Sequence, residues 1–306
     1  MTQTSLKLPS FAKINWFLDV YGKRPDGYHE VVTVLQTISL ADEITFCADG
    51  REGPLTLTCD DPSIPIDNKN LILKAANALL GHHVMWSAAD IKLIKRIPAQ
   101  GGLGGASSNA AVTLMALNAL WRDSNSISLD PAFLGADVPF FLVGGTCVAT
   151  GIGTTVSPLP DGPKKYLIVV TPNAKVSTAN AYASLNAASL TTSESVSILS
   201  SSLAEQFSAD SRQWPLRNDF ERVIFEIEPE IGRAKMALLE AGARGALLAG
   251  SGSSVFGVFE DESARDRGLE NLRSEAGWRV FSCETISRDE YVRAMNSSGF
   301  PLFTLS

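Results

Sequence analysis

Pro98-Ala99-Gln100-Gly101-Gly102-Leu103-Gly104-Gly105-Ala106-Ser107-Ser108-Asn109-Ala110-Ala111 is the stretch on which the fold turns. Gly101, Gly102, Gly104 and Gly105 leave the backbone bare of side chains, so its N–H groups can close around an oxyanion that a Cβ would push away. Ser107 or Ser108 is expected to cap the helix that follows. Beyond them Ala111, Leu114, Leu117 and Trp121 recur at helical spacing, which points the positive end of a helix dipole at the bound anion. The plainer alternative is a flexible surface loop with a capped helix after it.

Two familiar phosphate loops fit less well. No Gly-Lys-Ser or Gly-Lys-Thr follows the glycines, which excludes a P-loop ATPase. In the dinucleotide fingerprint the third glycine falls on Ser107, and no acidic residue is clearly placed about twenty positions on.

The chain has 306 residues, enough for about two domains with ordinary cores. With 26 basic against 33 acidic residues the net charge is −7, which argues against a broad nucleic-acid or anionic-membrane surface. An anionic ligand is therefore held locally. Cys47, Cys59, Cys147 and Cys283 are scattered and form no C-x-x-C pair, as expected of reduced core residues in the cytoplasm. His29, His82 and His83 show no metal-ligand spacing. The N-terminus lacks an export pattern, and no run of eighteen apolar residues occurs, so a cytoplasmic protein without a membrane span is expected.

Along the chain, Ala12, Ile14, Trp16, Leu18 and Val20 alternate with Lys13, Asn15 and Asp19, the pattern of a half-buried strand. Strand-like segments follow near 30–40, 42–48 and 54–59, then a helix over 70–80 and a strand over 90–96 feeding the glycine loop. After residue 135 come a strand over 146–150 and a Pro/Gly-rich junction near 158–163. Strand 166–170 opens a second half, with helices interrupted at Pro229, strands at 246–249 and 255–259, a helix over 262–276 and a strand over 278–283. Residues 184–213, rich in Ser, Ala and Thr, read as short helices and loops, partly disordered in the alternative. The last twenty residues show no clear periodicity.

Four islands stand together: AKINWFLDV (12–20) with RPDGYHEV (24–31), KRIPAQGGLGGASSNAA (95–111), LGADVPFFL (134–142) and LAGSGSSVF (248–256). Their order and spacing resemble the GHMP kinases, the family of galactokinase, homoserine kinase, mevalonate kinase and phosphomevalonate kinase. The resemblance covers most of the chain up to about residue 285. It implies an α+β, two-domain fold with an N-terminal ribosomal-protein-S5-like ATP-binding domain over 1–160 and a C-terminal α/β-sandwich substrate domain over 161–285. The tail, 286–306, receives no role. Asp26-Gly27-Tyr28-His29 points within the family to enzymes whose small-molecule substrate is a 4-diphosphocytidyl ester of methylerythritol. The 2-hydroxyl is then phosphorylated by ATP, in the non-mevalonate route to isoprenoid precursors.

The resemblance also assigns roles. Pro98, Ala99, Gln100, Gly101, Gly102, Leu103, Gly104, Gly105, Ala106, Ser107 and Ser108 wrap the phosphates of ATP, and Asn70 and Lys95 contact the adenine. Asp137 is the general base, with Lys13 beside it to polarise the hydroxyl and neutralise charge. Asn15 holds substrate. Tyr28 and His29 form the cytosine pocket, with Tyr182 on its opposite side, since an aromatic face stacks on a pyrimidine. Gly250, Ser251, Gly252 and Ser253 make a second backbone nest. Mg²⁺ is expected to come with ATP, its protein ligands unassigned. Before Gly135 the chain is shorter than the family pattern and Pro131 interrupts a helix, so the approach to Asp137 is expected to differ. Two alternatives stay open. One is a related kinase of mevalonate or homoserine, neither of which presents a cytosine. The other is a silent ligand-sensing member, against which the intact Lys13, Asp137 and both glycine motifs argue.

Overall fold

The computed structural model describes residues 4–48, 53–80, 88–121, 129–185, 193–208, 215–273, 275–297 and 302. His82, His83, residues 122–128, parts of the Ser/Ala/Thr-rich stretch and most of the chain beyond 297 lie outside the described residues.

Two long antiparallel strands, β1 (Thr4–Lys23) and β2 (His29–Ala48), form the spine of the first sheet. Val31, Val32, Val34 and Ile38 suit such a strand because β-branched side chains pack well on a pleated surface. At 20 residues, β2 can pair with β4 (Ala89–Ile94) over 43–47 and with β5 (Thr146–Thr150) over 33–36. β3 (Leu55–Cys59) runs parallel to β4, and β6 (Thr155–Pro158) pairs with β5. The second sheet has the order β11 (Trp278–Glu284), β7 (Tyr166–Pro172), β10 (Val255–Phe259), β9 (Gly245–Leu248). The second half also returns to the first sheet. β8 (Arg217–Asn218) lies parallel to β1, and the Ile286 N–H donates to the Thr37 carbonyl.

These sheets stack between helices. On one face of the first sheet Leu6, Leu8 and Phe46 pack with Ile72, Ala76, Ala111 and Leu117 from α1 (Leu71–Leu80) and α2 (Gly105–Trp121). On the other, Ala12, Ile14, Trp16 and Val34 meet Val169, Leu247 and Phe256 of the second sheet. Leu203 and Phe207 of α5 (Ser193–Ser208) cover the edge of that layer. The outer face of the second sheet rests on α6 (Glu221–Ile227), α7 (Pro229–Glu240) and α8 (Glu262–Leu272) through Ile224, Ile231, Leu238 and Leu272. Two short helices, α3 (Val138–Phe141) and α4 (Thr178–Ser184), edge the cleft between the halves, and α9 (Arg288–Asn296) packs beside β1.

Four expectations are corrected. β1 is not half-buried: Lys13, Asn15 and Asp19 are 4%, 3% and 5% exposed. The glycine loop and the second half cover that face, where Lys13 donates to Asn15 and Asp19 accepts from the Tyr21 hydroxyl and pairs with Arg217. A register shift between Phe11 and Ala12 accompanies the change of face: Leu8 and Phe11 look to the helices, Ala12 and Ile14 to the second sheet. The two expected strands within 30–48 are one. Ser107 and Ser108 do not cap α2, which starts at Gly105 with Ser108 N–H already bonded to the Gly104 carbonyl. The last twenty residues do hold a helix, α9, whose Ser287 and Glu290 form a reciprocal capping box.

Candidate functional site

The glycine loop leaves β4 and enters α2. Asp42 of β2 is 1% exposed and grips its start, accepting from the Arg96 and Ile97 N–H groups at 2.7 Å each and from Lys95 Nζ at 2.8 Å. Lys95 also donates to the Ile97 carbonyl, and burial pulls its ammonium below the ordinary lysine range while the Asp42 charge opposes that shift. Gln100, Gly102 and Gly104 lie at φ +58°, +74° and +72°. A Cβ at Gly102 would stand 2.0 Å from the Ala249 carbonyl oxygen, and one at Gly104 would stand 2.8 Å from the Phe141 ring and 3.0 Å from Lys13 Cγ. Glycine is thus required for close approach as well as for conformation. Helix geometry leaves the N–H groups of Gly105, Ala106 and Ser107 without an intrahelical carbonyl, directed out of the helix start.

Against this loop lies the turn Gly250-Ser251-Gly252-Ser253. The Ser254 N–H donates to the Gly101 carbonyl at 3.1 Å, and the Thr178 and Ser251 hydroxyls are 3.0 Å apart. Lys13 passes beneath both motifs. Its N–H donates to the Leu103 carbonyl, while its ammonium lies 3.7 Å from Asp137 Oδ2 and donates to Asn15 Oδ1 at 3.0 Å. Asn15 Oδ1 also accepts from the Gly250 N–H, and its Nδ2 donates to Thr33 Oγ1, so both ends of this amide bond within the protein. Asp137 immediately precedes α3 and makes no capping bond there, with Phe140 and Phe141 buried behind it. Its carboxylate is left facing the cleft and Lys13.

Tyr182 stacks on His29 with ring centroids 5.2 Å apart and 22° between planes, and meets Phe220 edge-on. Burial, and after it the Asp137 charge, push the Tyr182 phenol up to about 12. Tyr28 is 62% exposed. A cavity of about 440 Å³ runs along the glycine loop from Ile64, Pro65 and Leu71 past Lys95 to Ser107, and a second of about 500 Å³ adjoins it at Gln100, Gly102 and Thr178. Asn70 sits in the first as the cap of α1: its Oδ1 accepts from the Ile72 N–H and its Nδ2 donates to the Pro65 carbonyl. Ser108 is fully buried and accepts from the Ser10 hydroxyl. Asn109 lines the same cavity, and its buried Oδ1 has no partner among the described residues.

Three supporting residues escaped the sequence: Asp42, Thr33 and Asn218, whose Nδ2 donates to the carbonyls of Leu248 and Gly250 and so holds the second turn. For Asp42 the local signal is weak, because Ser39, Glu43 and Thr45 are polar neighbours in the same strand. Asn218 carried none, because its role depends on β8 joining β1. Among the described residues no group of three or more His, Cys, Asp or Glu could hold a metal ion, and no helix is long and apolar enough to cross a membrane.

Two glycine turns close on a Lys–Asp pair across stacked sheets flanked by helices. Family models described as "GHMP kinases N terminal domain" and "GHMP kinases C terminal" match residues 70–145 and 197–277. The chain is 39% identical over 280 residues to the 4-diphosphocytidyl-2-C-methyl-D-erythritol kinase of Syntrophotalea carbinolica, covering 90% of this chain and 97% of that protein. It is 37% identical over 285 residues to the enzyme of the same name from Geobacter metallireducens, with 92% and 99% covered. A crystal structure of 4-(cytidine 5'-diphospho)-2C-methyl-D-erythritol kinase superposes with a TM-score of 0.77 at 31% identity, covering 92% of this chain and 99% of that one. The chain belongs to the GHMP kinase family and has its mixed α/β fold with N- and C-terminal kinase domains.

Proposed function

We propose that this enzyme transfers the γ-phosphoryl group of ATP to the 2-hydroxyl of 4-diphosphocytidyl-2-C-methyl-D-erythritol, a cytoplasmic step toward isoprenoid precursors. The observation that carries this reading is the Lys13–Asp137 pair, 3.7 Å apart, lying between the two glycine turns. Residues 98–108 would hold the triphosphate. The left-handed positions at Gly102 and Gly104, and the N–H groups opening from the start of α2, suit an oxyanion there. Asn70 and Lys95 would shape the adenine chamber with Pro65 and Leu71, and the domain division would fall near residue 160. Mg²⁺ would arrive on the nucleotide phosphates, since it is ordinarily held by phosphates and water with few protein ligands.

In the transfer the substrate oxygen bonds to the γ-phosphorus, the bond to the bridging oxygen breaks, and ADP leaves. The hydroxyl proton passes to the Asp137 carboxylate. An aspartate is a weak base at its ordinary pKa, so the proton moves late, once the hydroxyl has become acidic by bonding to phosphorus. Lys13 stabilises the negative charge spread over the transferring group. Asn15, bonded to both Lys13 and Gly250, keeps the cation and the second turn in register with the substrate. The cytosine would stack on the exposed ring of Tyr28 against the wall made by His29 and Tyr182. Insertion between those two rings would require them to part from 5.2 Å to about 7 Å, twice the ordinary contact distance.

The test is turnover with MgATP and, in parallel, the cytidine substrate, mevalonate and homoserine, followed by ADP formation and by the added phosphate mass. Turnover with the cytidine substrate alone supports both the chemistry and the pocket. Turnover with another alcohol only would overturn the cytosine assignment, and ATP binding without any turnover would favour a sensor.

A further inference from the structure

Ser10 and Asp42 face each other across β1 and β2, register partners in the spine of the first sheet. Ser10 reaches the exit of the glycine loop and Asp42 both its ends. The Ser10 hydroxyl donates to Ser108 Oγ at 2.8 Å, one turn into α2, with both serines fully buried. Asp42 Oδ1 takes the N–H groups of Arg96 and Ile97, and Oδ2 takes Lys95 Nζ and, at 3.2 Å, Asn109 Nδ2. The carboxylate thus fills its roughly four acceptor sites from both the entry and the exit of the loop.

We propose that Asp42 and Ser10 are the positioning pair of the nucleotide site, holding the two ends of the glycine loop at the span that a triphosphate requires. This rests on the reading that residues 98–108 hold the phosphates of ATP. Asp42 touches no substrate. It acts through three groups: the loop backbone at 96–97, the Lys95 ammonium in the wall of the cavity, and Asn109. The bond from Asn109 Nδ2 to Asp42 orients that amide so that its oxygen, without a partner among the described residues, points away from the carboxylate. A rigid strand pair is a better template than the loop itself, because glycine supplies permissive dihedrals but no side chain to lock them.

Asp42→Asn keeps the shape and replaces one acceptor oxygen with an N–H₂ that must face other donors, leaving Lys95 buried without its counter-charge. Ser10→Ala removes one neutral bond and is the milder probe. Kinetics of the full chain are measured with ATP varied at saturating cytidine substrate, and with the roles reversed, beside melting temperatures. The expected result is an ATP KM raised about tenfold or more in Asp42→Asn, the weight of one to two lost buried hydrogen bonds. Ser10→Ala should raise it by roughly two- to fivefold, while the cytidine-substrate KM stays within about twofold in both. A merely structural role would lower the active fraction and leave both KM values unmoved; that result overturns the proposal, as does an equal rise in both. If Asp42→Asn does not fold, Ser10→Ala decides alone. Calorimetric titration with MgATP repeats the comparison without turnover. A wild-type chain that binds ATP but phosphorylates none of the three alcohols then sinks the proposed function and still tests the clamp, and one that binds no ATP sinks both.

Discussion

Gly102→Ala is the sharpest probe of how the two halves meet. Its Cβ would stand 2.0 Å from the Ala249 carbonyl oxygen and 3.1 Å from that of Gly252, on a backbone at φ +74°. Contact becomes tolerable only if the loop and the 249–252 turn separate by about 1 Å. Two costs follow for stability: about 1–2 kcal/mol for a left-handed alanine and about 1 kcal/mol for the stretched bond from Ser254 N–H to the Gly101 carbonyl. Together they lower the melting temperature by about 3–5 °C in a chain of this size. Catalysis should suffer more, since a misplacement of about 1 Å costs roughly a hundredfold. Gly242→Ala is the control, because Gly242 has φ +96° with nothing within 4 Å of its would-be Cβ. It carries the backbone strain without the collision. Thermal unfolding and kcat/KM for ATP are measured on both variants. If Gly102→Ala retains kcat/KM within about threefold of wild type, the close apposition of the glycine turns does not position the loop, and some other contact must set its distance from the Lys13–Asp137 pair.

Asp137→Asn should lower kcat by about 10²- to 10⁴-fold, the usual worth of a positioned proton acceptor, with the ATP KM little changed; full retained activity removes Asp137 from that role. The Arg233 guanidinium, 2.6 Å away, and Trp278 Nε1, at 2.7 Å, hold the Glu230 carboxyl down to about 2 from its ordinary 4.5. A carboxylate with a depressed folded pKa stabilises fully above its unfolded value and ceases to do so as pH falls through the folded one. The stability gap between wild type and Glu230→Gln should therefore narrow between pH 4.5 and about 2, followed by circular dichroism during denaturant unfolding; a gap constant across that window would contradict the assignment. Tyr291, fully buried, donates its hydroxyl to the Phe141 carbonyl. Tyr291→Phe leaves that acceptor unmet and should cost about 1–3 kcal/mol in denaturant unfolding, with turnover per folded molecule unchanged.

Much of this fold could be read along the chain. The glycine loop before an apolar-periodic helix, the Pro229 break between two helices and the glycine turn between strands 245–248 and 255–259 are local patterns. α9 was also locally written, in Ser287 and Glu290 three residues apart, but its apolar positions at Tyr291, Val292 and Met295 are too few to show a period. The strand Ala12–Val20 misled for a different reason. Alternation separates two faces without saying what covers the polar one.

Local chemistry along the chain decided where the backbone bends, caps and goes bare, because those choices depend on residues a few positions apart. Whether Lys13 is a solvated charge or a buried cation beside Asp137 was decided only when residues 13, 104, 137 and 250 were brought together. The same holds for Asp42, whose five hydrogen bonds reach across 53 to 67 residues of chain. Desolvation and charge pairing act through space, so a polar residue's role follows from its tertiary neighbours, whereas backbone propensity acts through the adjoining peptide units.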